Sequence, residues 1–208
     1  MSTVTLAIGR PTLVDRIFSR TLAVDLVLIA AGAALTAIAA QIAVPMFPVP
    51  ITGQTLAVLL VGMSLGAVRG GLSMGLYAAL GIVGLPVFSD ASSGWGVIAG
   101  PTGGYIIGFV LAAVLTGWLA QLTWDRKVLK AFLAFLAGTA VTFIAGNIWL
   151  AAWLGAAGFP NDLDSVLRAG LYPFIIGGVI KAALGAGILS AAWFAVERGD
   201  KRADATEA

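Results

Sequence analysis

From Gly170 to Val196 the chain runs without an acidic residue and with one cation, Lys181. A stretch that long and that apolar spans a bilayer, which takes about 20 residues. In hydrocarbon only helices and closed barrels satisfy their own backbone, so a chain made of such stretches has few folds open to it. The remainder is built the same way. Hydrophobic residues make up 60% and charged residues 11%, and the mean hydropathy is +1.00. A soluble domain carries about 25% charged residues. The implied class is an all-α integral membrane protein.

Short polar breaks divide the sequence into six spans of one compact bundle: Leu22–Val44, Gln54–Val68, Gly70–Leu85, Pro101–Leu122, Val128–Leu154 and Tyr172–Val196. The 208 residues form a single transmembrane domain, 1–208. The first span stops at Pro45-Met46-Phe47-Pro48-Val49-Pro50, which cannot continue a helix. Only Arg69 marks the second-to-third turn. The first span is too long for a signal-peptide core and five more follow, so it stays as a helix. The tail from Glu197 to Ala208 is polar and expected to fray.

Six spans place both termini on one side, and the basic residues say which. Arg10, Arg16, Arg20, Arg69, Arg126, Lys127, Lys130, Arg198, Lys201 and Arg202 fall on one face; the opposite face has Arg168. The positive-inside rule makes the N and C termini cytoplasmic. The outer loops are then 45–53, 86–100 and 155–171. They are poor in charge and rich in Gly, Pro, Trp and Phe. Such loops either fold back over a cavity or anchor aromatics in the outer leaflet.

The chemistry available is narrow. There is no cysteine and no histidine, which removes thiolate nucleophiles, imidazole bases and the commonest metal ligands. Gly62-Met63-Ser64-Leu65-Gly66 matches a nucleophile-elbow pattern, but it has no histidine to activate it and lies within a helix. No phosphate-loop motif occurs, and no basic run suggests nucleic acid. Neither cofactor nor metal is indicated.

Three features point to binding. Lys181 stands eight residues past Pro173, roughly 12 Å into the sixth span. An uncompensated charge there costs about 2.5–3.5 kcal/mol on insertion scales, so it either snorkels outward or faces a cavity. Gln54 and Asn147 add polar groups to the same outer half. Gly100-Pro101-Thr102-Gly103-Gly104-Tyr105 opens the fourth span with proline in its first turn and free N–H groups beside two hydroxyls. Small-x-x-x-small pairs such as Gly66/Gly70 and Gly104/Gly108 serve helix packing. The first span is small on nearly every face and also offers close contact to another protein.

Val49-Pro50-Ile51-Thr52 with Gln54-Thr55-Leu56, Gly81-Ile82-Val83-Gly84-Leu85-Pro86-Val87-Phe88, Gly100 through Tyr105, and Pro173-Phe174 leading to Lys181 together resemble the BioY family. These are biotin-specific substrate-binding (S) components of energy-coupling factor (ECF) transporters. The resemblance covers about residues 22–195. It implies a multi-pass protein of a prokaryotic plasma membrane that binds biotin in an outer-half pocket capped by the first outer loop. Thr52, Gln54, Phe88, Thr102, Gly104, Tyr105, Asn147, Gly178 and Lys181 are the substrate-binding candidates it implies. It also implies partners, an ECF T component and ATPase subunits, docked partly on Ala30, Ala33, Ala34 and Ala37. The family commonly carries Asp where this sequence has Gly178, which predicts a lysine without an acidic partner. An S component for another small vitamin and a membrane-embedded enzyme are the alternatives; the second lacks clustered groups for acid–base or metal chemistry.

Overall fold

The computed structural model describes residues 5, 6 and 9–207, with side chains through Gly199. The side chains of Lys201 and Arg202 lie outside the described residues. The elements in chain order are α1 (Leu22–Ala40), the two-residue strands β1 (Ala43–Val44) and β2 (Ile51–Thr52), α2 (Gln54–Leu65), α3 (Ala67–Ile82), α4 (Trp95–Ala99), α5 (Gly103–Gln121), α6 (Val128–Ala156), α7 (Leu163–Gly170) and α8 (Ile175–Glu207). Four stretches are long and apolar enough to cross a membrane: Leu22–Ala40, Gly103–Gln121, Val128–Ala156 and Leu163–Gly199. α5 is the axle of the bundle, with 67% of its span buried against 28–33% for the other three.

Sequence and structure differ by two residues or more at several boundaries, three of which matter for the bundle. α1 stops at Ala40 instead of Val44, because Ala43–Val44 pairs antiparallel with Ile51–Thr52 and Pro45 disfavours a helical Val44. α8 runs on to Glu207, past the point where the polar tail predicts fraying. The break between α2 and α3 falls at Gly66, φ +86°, and not at Arg69.

Gly66 sits in a knot of bare backbone. A Cβ on Gly62 would lie 2.6 Å from the Ala113 carbonyl, and one on Gly70 would lie 2.9 Å from the Gly62 Cα. A Cβ on Gly117 would strike the Gly66–Ala67 backbone. Three helices therefore meet at main-chain distance, as small residues in membranes allow. The knot holds α2 and α3, only 12 and 16 residues long, against α5.

Arg69 lies inside α3 and is 3% exposed. Its Nη1 donates to Asp25 Oδ1 at 3.0 Å and its Nη2 to Asp15 Oδ1 at 2.9 Å. Its Nε donates to the Leu65 carbonyl at 2.8 Å. Asp15 also accepts from Arg20 at 2.9 Å and from the Thr12 N–H at 2.9 Å. Asp25 accepts from the Leu6 N–H at 2.7 Å. Arg69 is thus a structural cation that straps the segment before α1 onto α3, and it is no free loop charge to count toward orientation.

Burial pushes the Asp15 carboxyl up, but the hydrogen bonds from Arg20 and the Thr12 N–H, with the Arg69 charge, together hold it below its ordinary 3.8. A depressed carboxylate stabilises the fold above its unfolded pKa and loses that contribution as pH falls through the folded one. Arg69→Met leaves the buried Asp25 carboxylate without a cation and Asp15 with Arg20 alone, a loss of about 3–5 kcal/mol. The expected result is a large drop in the melting temperature of detergent-solubilised protein at pH 7, with less acid sensitivity below about pH 4 than the parent chain shows.

Candidate functional site

A recess lined by polar and aromatic groups opens at the end of the bundle that carries the β1–β2 hairpin. It holds about 660 Å³ up to and including its mouth. The hairpin forms one wall through Pro50 and Thr52, with Gln54 and Thr55 of α2 below them. Phe88 and Ser89 close a second side, and Thr102 at the N-cap of α5 with Tyr105 and Phe109 of α5 a third. Phe143 of α6 and Phe174, Gly177, Gly178 and Lys181 of α8 complete it.

Aromatic edges make the apolar surface. Phe143 stands edge-on to Tyr105 at 6.2 Å and tilted to Phe174 at 5.7 Å. Phe88, 1% exposed, meets the buried Tyr77 ring edge-on at 5.4 Å. Gly81 makes room for it, since a Cβ there would overlap the Phe88 ring. Gln41 just past α1 then pins the loop, donating to the Phe88 carbonyl at 3.1 Å and accepting from the Ala91 N–H at 3.0 Å.

Lys181 points into this space. Its Nζ donates to the Thr52 carbonyl at 2.5 Å and to Thr55 Oγ1 at 3.1 Å. The sequence predicts an unpartnered lysine; the structure gives it two neutral acceptors on the hairpin side, which tie α8 to the hairpin. An ammonium has three N–H donors, so one remains for a ligand. Gln54, 6% exposed, donates to Tyr77 Oη at 2.5 Å and accepts from Thr52 Oγ1 at 2.7 Å. Gly178 presents bare backbone to the cavity; a Cβ there would touch Thr139 Cγ2 at 3.3 Å and Phe143 Cε2 at 3.7 Å.

Thr52, Gln54, Phe88, Thr102, Tyr105, Gly178 and Lys181 are thus brought together around one cavity. Two of the nine substrate candidates are not. Gly104 packs α5 onto α6, where a Cβ would overlap Trp149. Asn147 turns away, donating to the Phe143 carbonyl at 2.8 Å and the Gly170 carbonyl at 3.2 Å, and lines a separate apolar crevice. The Tyr105 ring faces the cavity, but its hydroxyl is spent on the Gly170 carbonyl at 2.8 Å. Sequence reasoning missed Thr55, Phe109, Phe143, Phe174 and Gly177. Thr55 and Phe174 sit inside the strings that carry the resemblance; Phe109 and Phe143 lie in helices apolar on every face, where nothing marks the inward side.

On α1, Ala30 and Ala34 are exposed and Ala37 half-buried. Ala33, 1% exposed, packs inside the bundle and offers no docking surface.

An apolar helical bundle with a cation aimed into an aromatic cavity defines a membrane-embedded small-molecule binder. A family model described as the BioY family matches residues 11–198. The chain is 36% identical to "Biotin transporter BioY2" of Lactococcus lactis over 77% of this chain and 85% of that one. It is 35% identical to "Biotin transporter BioY" of Thermotoga maritima over 74% and 86%. Among solved structures it resembles the S-component for biotin from an ECF-type ABC transporter, with a TM-score of 0.69 and 28% identity over 81% of this chain and 90% of that one. The chain belongs to the BioY family.

The third Lys181 donor sets a test. Charged hydrogen bonds contribute about 1.5–3 kcal/mol, so Lys181→Met should weaken ligand binding roughly ten- to a hundredfold. It also strands the Thr52 carbonyl, so the melting temperature of the empty protein should fall. Unchanged affinity with a lowered melting temperature would make Lys181 a purely structural tie.

Proposed function

We propose that this chain captures biotin from outside the cell in the cavity around Lys181 and delivers it inward. It is a transport component and not an enzyme, seated in the plasma membrane as a multi-pass protein. The observation that carries the reading is Lys181: a cation held only by neutral oxygens, facing aromatic rings, with one donor unspent. Biotin presents what such a site takes, a fused apolar ring system with oxygen acceptors at both ends. Thr52, Gln54, Thr55 and Thr102 supply the neutral polar contacts.

In this reading α1, α2, α3, α5, α6 and α8 all cross the membrane, with both termini cytoplasmic. Arg16, Arg20, Arg126, Lys127, Lys130 and Arg198 support that orientation. Energy comes from an ECF T component and ATPase subunits, since the chain has no phosphate loop of its own. Exposed Ala30 and Ala34, one turn apart on α1, form the close-contact stripe for those partners.

Purified chain in detergent should bind labelled biotin saturably without ATP. If folded protein ignores biotin and retains another small vitamin, the assignment of substrate is wrong. Ala34→Trp should abolish co-purification with the T component and uptake while leaving biotin affinity within about twofold, because it alters an exposed surface remote from the cavity. Loss of biotin binding as well would mean that this face is needed for the fold itself.

A further inference from the structure

The connection between α5 and α6 gathers positive charge that no carboxylate answers. Arg126, Lys127 and Lys130 are exposed, and none of them forms an ion pair among the described residues. The acid beside them, Asp125, is 1% exposed and turned inward, where its Oδ2 accepts from Trp193 Nε1 of α8 at 2.9 Å. The charge that this connection shows to its surroundings is therefore all positive. Two of the three cations rest on aromatic rings. The Arg126 guanidinium carbon stands 4.8 Å from the centre of the Trp193 ring, and the Lys130 ammonium 5.8 Å from that of Trp124. Cation–π attraction at these distances positions a cation without neutralising it. A guanidinium laid on a ring keeps its N–H fork available, and that fork matches the oxygens of a phosphate.

Apolar side chains flank these cations: Leu122, Val128, Leu129 and Leu133 are all exposed. The cations stand at the start of α6, one of the stretches long and apolar enough to cross a membrane, where hydrocarbon gives way to headgroups. We propose that this connection binds an anionic phospholipid, its phosphate on Arg126, Lys127 and Lys130 and its acyl chains along Leu129 and Leu133. Unpaired cations above an apolar flank are complementary to a molecule that is an anion at one end and hydrocarbon at the other. Basic clusters at the ends of membrane helices attract such lipids. The site lies at the far end of the 19-residue α5 from Thr102 and Tyr105, roughly 28 Å along the helix, so it is independent of what the cavity holds. Asp125 and Trp193 tie the connection to α8, and a lipid seated there fastens the ends of α5, α6 and α8 together.

The test uses the full chain in neutral detergent, with dioleoylphosphatidylglycerol as probe and dioleoylphosphatidylcholine, whose headgroup carries its own cation, as reference. The parent chain should retain phosphatidylglycerol at least about tenfold more tightly and gain melting temperature from it. That preference should collapse as salt rises from about 10 mM to 1 M and the Debye length falls from about 30 to 3 Å. Each surface cation adds about fivefold to affinity for an anionic lipid, so Arg126→Gln with Lys130→Gln should weaken phosphatidylglycerol at least about tenfold. Arg10→Gln with Arg16→Gln removes the same charge from exposed residues that no ring holds among the described residues, and should change it by less than about twofold. Equal loss in both pairs would reduce the patch to diffuse surface charge, and the proposal would fail. It fails equally if the parent chain, read without any variant, shows no preference between the two lipids. Complete displacement by soluble glycerol phosphate would mean a site for free anions and no lipid site. Lost co-purification of the ECF T component with lipid retention unchanged would make the patch a protein contact instead. Biotin affinity should stay the same in both variant pairs, so the substrate assignment and this proposal stand or fall separately.

Discussion

Inside this bundle polar side chains close on backbone oxygens of the same molecule, and the organisation of the protein follows from that constraint. Thr36 donates to the Gly32 carbonyl, Thr116 to Ala112, Thr142 to Gly138 and Ser73 to Arg69, all within one helical turn at 2.8–3.1 Å. In hydrocarbon an unpaired polar group costs several kcal/mol, so these short loops of hydrogen bonding let threonine and serine sit between helices. The longer ties do more. Tyr105 and Asn147 both donate to the Gly170 carbonyl, which fixes the end of α7 where the chain turns into α8. Lys181, further along α8, closes on Thr52 of the hairpin. The cavity is therefore bounded by elements that are hydrogen-bonded to one another across large sequence separations.

Close backbone approach supplies the rigid side of the site. The glycine knot of Gly62, Gly66, Gly70 and Gly117 locks α2 and α3 to α5, so Gln54, Thr55 and Tyr105 arise from helices fixed relative to one another. The opposite side is built from shorter elements. Hairpin strands of two residues each, and a loop held by Gln41 side-chain contacts, form the wall nearest the mouth. Phe47 of the hairpin loop meets Phe159 edge-on at 6.1 Å, and Phe159 stacks on Trp153 at 6.2 Å.

Much of this was legible because membrane sequences are read by where polarity is allowed. Lys181 and Gln54 stood out because each is polar in an apolar setting, while Thr52 came from the string that carries the family resemblance; all three line the cavity. The same rule misled at Asn147, whose amide is polar for the sake of the α7–α8 junction. Gly104 failed for a different reason: a glycine at a helix start signals close approach without saying what approaches, and here it is Trp149. Arg69 looked like a turn residue because its acidic partners, Asp15 and Asp25, lie 54 and 44 positions away. Phe109 and Phe143 were invisible because helices surrounded by lipid carry hydrophobic residues all round, so periodicity no longer marks the inward face.

Two cations in one bundle, Arg69 buried and Lys181 half-buried, differ in what their partners leave unspent. Arg69 lies between two carboxylates, and Arg20 on Asp15 balances the charge of the strap. Removing Arg69 leaves the buried Asp25 without a cation, the signature of a stabilising network. Lys181 is held by a carbonyl and a hydroxyl, which satisfy two donors but neutralise none of its charge. Its positive charge is thus compensated only in part, and one donor stays unspent. Gly178, one turn earlier on α8, is where an acidic side chain would complete that compensation in advance; its absence leaves the task to the ligand. Binding energy at such a site comes from relieving the protein as well as from holding the ligand, which suits a component that must capture a scarce solute and later release it.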